Sequence, residues 1–482
     1  METLLTNSET RALWAYFLEL SKIPRGSKAE AAAADWVAEQ GRALGCQVER
    51  DAVGNVLIRK PATPGRENRP GIAVQAHVDM VCEKNEGTRH DFLKDPLTLV
   101  HEGDLVRATG TTLGADNGIG VCAGLALLAK KDLAHGPLEV IVTIDEETGL
   151  TGANNIAPGW LKAKYLLNLD SEEEGRLTIG CAGGVDTTVT REMALEAPTA
   201  GKRAYRLKVF GLKGGHSGTE IHTGRGNAIR LLAQVVSFMM PRHGMELVSV
   251  KGGNKRNAIP REASVIFFLD PAHEGVFRDE LGSHEAHWKS ALGQIEPGLA
   301  MSLEPSDGER VLSAEDAKRF IGLLLGLPHG VEAMSPDIPG LTQTSTNLGV
   351  VDTHEGMAEV TLLTRSSIDA SKFALAERIS AVSALAGFQA TLEAPYPGWK
   401  PDPHSSLVQL MEKVHQEAFG KPMEISAIHA GLECGLIGEK HPGMEMVSFG
   451  PNMWEVHTPN EHVSVSSVEN VWKLLVKVVQ EV

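Results

Sequence analysis

The chain has 482 residues, of which 42% are hydrophobic and 22% charged, and its formal net charge is −16. The length exceeds what one hydrophobic core usually supports, so two or more domains are expected, with the composition of an ordinary globular protein. The acidic balance argues against a nucleic-acid partner, because phosphate binding needs a positive face, and no run approaches the ~18 apolar residues of a membrane span.

The first residues, Met1 to Thr6, carry neither a basic region nor a long apolar core, so no signal peptide is expected. Leu13, Trp14, Phe17, Leu18 and Leu20 have helical spacing, and Pro24 stops that helix. Ala31 to Leu44 reads as a second helix, Val53 to Ile58 and Ile72 to Val74 as strands, and Asn117 to Lys130 as a helix rich in small residues. Strands are expected again at Leu138 to Ile144 and Tyr165 to Leu169. This alternation predicts a layered α/β domain around a mixed or largely parallel sheet, with ligands at the carboxyl ends of its strands. Beyond Gly183-Gly184 the texture changes. Tyr205 to Phe210 alternates apolar and polar residues, a helix spans Gly226 to Met240, and strands follow at Ser264 to Leu269 and Ala358 to Leu363. The expected organisation is a first domain over 1–185 and 391–482, interrupted by an inserted α+β domain over 186–390. The five cysteines (Cys46, Cys82, Cys122, Cys181, Cys434) are scattered and never spaced Cys-x-x-Cys, which fits reduced thiols in a cytoplasmic protein.

Apolar runs precede several of the acids in the first domain. His77 and Asp79 lie two apart, so on an extended strand they share a face; His77 can then bind a metal ion while Asp79 holds its other ring nitrogen. Asp116 sits in the glycine-rich turn Gly110 to Gly118, where alone it reads as a helix N-cap. Glu146 and Glu147 are adjacent, so on a strand they point opposite ways, one towards metal and the other towards a substrate water. Asp170 ends the apolar run Leu166, Leu167, Leu169, and His457 comes nearly three hundred residues later. Charges at the ends of buried strands are costly unless offset, and oxygen and imidazole donors without thiolate suit zinc, manganese or cobalt. The pattern is that of a two-metal hydrolase.

In this order and context, His77-x-Asp79, the Asp116 turn, Glu146-Glu147, Asp170 and the late His457 resemble the M20 family of co-catalytic metallopeptidases, over essentially the whole chain. Further similar segments are Asp51 to Asn55, Ser171 to Gly175, Gly211 to Gly218, Arg256 to Arg261 and Ile428 to Gly435. The resemblance implies two divalent metal ions per chain, with zinc first and manganese or cobalt as alternatives. Asp116 would bridge them, His77 and Asp170 completing one site and Glu147 and His457 the other. Glu146 would be the general base, Asp79 would orient His77, and Asp116-Asn117 would be a cis peptide. The inserted domain would be a lid that forms a homodimer. His216 would serve the partner's active site as oxyanion donor, Asn257 and Arg365 would hold the substrate carboxylate, and Gly431 would line the pocket. The implied activity is hydrolysis of unblocked dipeptides, preferentially those ending in histidine. Other activities of the family (tripeptidase, acylamino-acid deacylase, carboxypeptidase) and a non-catalytic metal-binding protein are the alternatives.

Overall fold

The computed structural model describes residues 2–482. The chain forms two units: residues up to Gly180 with Pro401–Ala427 and Leu432–Val482, and Cys181–Lys400 with Ile428–Gly431.

The first unit is built on an eight-stranded mixed sheet. Its centre is the buried strand Ile72–His77, which pairs in parallel with Leu138–Thr143 on one side and Tyr165–Asn168 on the other. Glu445–Ser448 extends the parallel set, and Val56–Lys60 runs antiparallel to Leu138–Thr143. Strands buried on both faces read as continuous apolar runs, and Leu138–Thr143 is buried at every position. Because these strands are parallel and in register, with His77 opposite Thr143 and Gln75 opposite Asn168, their carboxyl ends emerge at one edge. The strand expected from Val53 starts only at Val56, because Asp51 Oδ1 accepts the N–H groups of Val53, Gly54 and Asn55 and closes a turn there.

The helix Ala115–Ala129 is buried along nearly its whole length. Its glycines let it approach its neighbours: a Cβ at Gly124 would lie 2.8 Å from Val140 Cγ1, and one at Gly118 would lie 3.1 Å from Phe17 Cε2. Helix Arg11–Leu20 packs on it through the face Leu13, Trp14, Phe17 and Leu20, the positions that the spacing had marked.

The second unit carries a nine-stranded sheet with antiparallel ladders, among them Arg203–Phe210 with Ala263–Leu269, and Thr342–His354 with Met357–Ser366. Tyr205, Leu207 and Val209 are buried while Arg206 is exposed, as the alternation predicted. Helices Ala228–His243, Ala314–Gly326 and Asp369–Leu385 cover a core that includes Phe267, Phe277 and Phe320. Asn227 caps the first of these by accepting the N–H groups of Ile229 and Arg230.

Phe17 is fully buried and packs against the helix that follows the Asp116 turn. Phe17→Ala is expected to lower the urea-unfolding free energy by about 3–5 kcal/mol, and a loss below about 1 kcal/mol would show that this contact is not part of the packed core.

Candidate metal centre

Seven of the residues singled out in the sequence lie together at the strand edge of the first unit. His77 is the last residue of its strand and only 1% exposed. Its Nε2 lies 3.1 Å from Asp116 Oδ1 and 3.1 Å from Asp170 Oδ1, and its Nδ1 lies 3.4 Å from Asp79 Oδ1. The second oxygen of Asp116 faces the other way, with His457 Nε2 at 3.2 Å. His457 Nε2 is also 3.1 Å from Glu147 Oε2. Asp116 therefore stands between two triads, His77–Asp116–Asp170 and Asp116–Glu147–His457, and Glu146 joins His77 and Glu147 in a third grouping.

Local geometry explains how the chain reaches these positions. Gly114 adopts a left-handed conformation (φ 66°) that turns the chain into the following helix, and the Asp116-Asn117 peptide is cis. Asn117 Nδ2 donates to Leu169 O at 2.6 Å, tying the Asp116 turn to the segment bearing Asp170. His457 itself has a positive φ of 63°, a costly backbone for a side chain of that size, of the kind that gathers at functional sites.

One expectation needs correction. Glu146 and Glu147 do not continue a strand; they open a short helix, Glu146–Gly149. Asp145 turns to a left-handed conformation (φ 49°) after Thr143 ends the strand, and its carboxylate accepts the hydroxyls of Thr148 and Thr151. Asp79 then accepts the N–H of Glu146 at 3.0 Å and of Glu147 at 3.3 Å. Thus Asp79 holds both the His77 ring and the first turn of the helix carrying the two glutamates, and Ser27 Oγ donates to it at 2.7 Å.

The electrostatics follow from burial and crowding. Burial pushes the Asp170 carboxyl up to about 6 against the pull of His77. Burial also raises Glu146 well above the usual carboxylate range, with His77 opposing and Asp170, Glu433 and Glu147 adding to it. Burial works the same way on Asp116, but His457 and His77 outweigh it and hold the group low. Hydrogen bonds to Asp116 and Glu147 carry His457 up to about 11. Burial disfavours a charged His77 ring, yet Asp170, Asp116 and Asp79 together hold it well above its ordinary value. Glu147 Oε1 is buried and without a hydrogen-bond partner. Four carboxylates, one of them with an orphaned oxygen, together with two imidazoles are a donor set that fits divalent cations.

A further buried carboxylate had no role assigned from sequence. Glu433 is fully buried and accepts from Gln75 Nε2 and Thr143 Oγ1, both at 2.6 Å. Gln75 in turn accepts from Asn168 Nδ2. Gln75, Thr143 and Asn168 lie at or near the ends of their strands, just before His77, Glu146 and Asp170, so one polar row underlies this edge. The segment around Glu433 stood out in the sequence, but nothing there distinguishes a buried glutamate from a solvated one.

His216, Asn257, Arg365 and Gly431 lie in the second unit. Arg365 is 5% exposed, donates from Nη1 to Tyr396 Oη at 2.9 Å, and leaves its buried Nε without a partner. A Cβ on Gly431 would lie 3.2 Å from the same tyrosine ring. Burial, with Arg365 nearby, lowers the His216 pKa. The exposed Asn257 accepts the N–H of Ser217 on its carbonyl at 2.9 Å.

Known proteins resemble this chain over nearly its whole length. The cytosol non-specific dipeptidase of Escherichia coli (strain K12) is 41% identical over 479 residues, covering 99% of each chain. The crystal structure of the aminoacylhistidine dipeptidase from Vibrio alginolyticus matches with a TM-score of 0.93 at 42% identity, covering 99% of this chain and 98% of that one. Aminopeptidase PepT from Bacillus cereus ATCC 10987 shares the fold, with a TM-score of 0.57 at 17% identity over 98% of each chain. Residues 73–481 match Peptidase family M20/M25/M40, and the chain belongs to that family.

Proposed function

We propose that this protein is a dipeptidase that hydrolyses unblocked dipeptides, preferring a C-terminal histidine, at a centre of two zinc ions. The observation that carries the reading is the position of Asp116 between two triads of imidazole and carboxylate donors. His77, Asp116 and Asp170 would hold one ion, and Asp116, Glu147 and His457 the other. Bound divalent ions supply positive charge that polarises the scissile carbonyl and lowers the pKa of the attacking water. They also offset the crowding of like charges that raises Glu146.

The protein's own residues do the rest. Glu146 takes the proton of the attacking water on its carboxylate and returns it to the leaving nitrogen. Asp79 keeps the His77 ring in the tautomer whose Nε2 is free to ligate, and anchors the first turn of the Glu146 helix. In the second unit, Arg365 has an unpartnered buried Nε, and its fork suits the two oxygens of a C-terminal carboxylate. Asn257 and the backbone at Gly431 would complete that subsite, and His216 would donate to the oxyanion in a partner subunit of a homodimer. The names of the two similar dipeptidases support a small peptide substrate, and the name of the Escherichia coli relative supports a cytoplasmic location.

Glu146→Gln is expected to keep the fold and the bound zinc while lowering kcat by about 100-fold or more on a panel of Xaa-His and Xaa-Ala dipeptides. Near-normal turnover by the variant would remove Glu146 from its role. Wild-type rates that are equal across the panel would remove the histidine preference, and no hydrolysis of any dipeptide would remove the activity.

Zinc binding should also release protons. In the metal-free chain both imidazoles are held above the ordinary histidine range, His457 up to about 11, whereas ligation needs them neutral. Affinity should therefore rise with pH, with Asp170 giving up a further proton as pH climbs through about 6. Calorimetry at pH 7 in buffers of different ionisation enthalpy should report about two protons released per loaded chain. An affinity flat from pH 6 to 8 with no proton release would contradict this.

A further inference from the structure

We propose that Arg25 and Glu461 are paired positioning residues that hold the Asp116 turn from opposite sides and so fix three of the five ligands, His77, Asp116 and His457, relative to one another. The inference rests on the metal-centre reading of those ligands, but neither residue is among them.

Glu461 is 2% exposed, and both of its oxygens are spent on the turn. Oε2 accepts the N–H of Leu113 at 2.7 Å and of Gly114 at 2.9 Å, while Oε1 accepts that of Ala115 at 2.8 Å and of Asp116 at 3.4 Å. Four successive backbone donors converging on one carboxylate form a fixed cradle for negative charge. Glu461 stands four residues after His457, and its own N–H donates to Thr458 O, closing the short turn between them. The loop carrying His457 and the turn carrying Asp116 are thus joined through one side chain.

Arg25 acts on the other side. It is 1% exposed; its Nη2 donates to Gly114 O at 2.5 Å, and its Nη1 donates to Val78 O at 2.9 Å and to Asp79 O at 3.3 Å. Its backbone carbonyl accepts the N–H of Met80. The guanidinium therefore links the chain just past His77 to the same glycine turn. The turn leaves room for it: a Cβ at Gly114 would collide with Arg25 Nη2, and one at Gly118 would lie 2.7 Å from that atom. A buried arginine that donates only to backbone carbonyls and a buried glutamate that accepts only backbone N–H groups carry opposite charges, and both bind the Asp116 turn, one through the Gly114 carbonyl and the other through the amides of 113–116. Each would be costly to bury alone.

The test measures zinc affinity of the metal-free chain by competition with a chromophoric chelator, together with the melting temperature of the metal-free protein. Glu461→Gln replaces one acceptor oxygen with a donor that faces backbone N–H groups, and zinc affinity should fall by about 10–100-fold. Glu461→Asp, which keeps the charge, should recover part of that loss. Arg25→Lys should also weaken zinc, because an ammonium cannot reproduce the fork that spans Val78 and Gly114. Asp316→Asn is the control: Asp316 is a buried carboxylate in the second unit that accepts the Ala194 N–H and pairs with Arg191, and its loss should leave zinc affinity at the wild-type value. The proposal is overturned if Glu461→Gln and Arg25→Lys bind zinc as tightly as wild type, or if the Asp316 control weakens zinc as much as they do. If wild type itself binds no zinc, the metal-centre reading has failed instead.

Discussion

Like charges crowded away from water govern the first unit. Asp116, Glu146, Glu147 and Asp170 meet at one strand edge, and the ion-pair partners of Asp116, Glu147 and Asp170 are two imidazoles. Burying several carboxylates together is unfavourable unless positive charge or hydrogen-bond donors offset it. Much of the surrounding architecture can be read as that offset. Parallel strands align the ends that bear His77, the glutamates and Asp170, and the row Gln75, Thr143, Asn168 and Glu433 supplies a polar floor beneath them. Asp79 gathers the His77 ring and the Glu146 helix on one carboxylate.

The same logic explains why glycines and strained residues cluster here. Gly114 must turn left-handed and leave space for Arg25, and Gly118 and Gly124 let their helix lie close to Phe17 and Val140. Asp145 and His457, neither of them glycine, also adopt positive φ. Such backbones persist only where surrounding contacts over-determine them. For Asp145 those contacts are the hydroxyls of Thr148 and Thr151.

Much of this was legible in the sequence, and what was not has a physical reason. Uninterrupted apolar runs marked the central strands, helical spacing marked Arg11–Leu20, and acids following those runs pointed to one strand edge. The two glutamates were read as strand neighbours; the reversal at Asp145 is set by side-chain caps that periodicity cannot register. The burial of Arg25, Glu433 and Glu461 has no local signal, because a charged residue beside a turn has the pattern of a solvated one. Their burial depends on partners far along the chain, as with Glu461 and the amides of 113–116. In the second unit, the hydrogen bond from Arg365 to the Tyr396 hydroxyl and the approach of Gly431 to that ring have no local signal for the same reason.

The most direct measurement of the central claim is the zinc content per chain after reconstitution of metal-free protein, compared between wild type and Asp116→Asn. With Asp116 shared by both triads, wild type should bind about two ions per chain. The variant should lose affinity for both together while keeping the metal-free melting profile. A wild-type content near zero, or an Asp116→Asn variant that keeps both ions at wild-type affinity, would contradict the account.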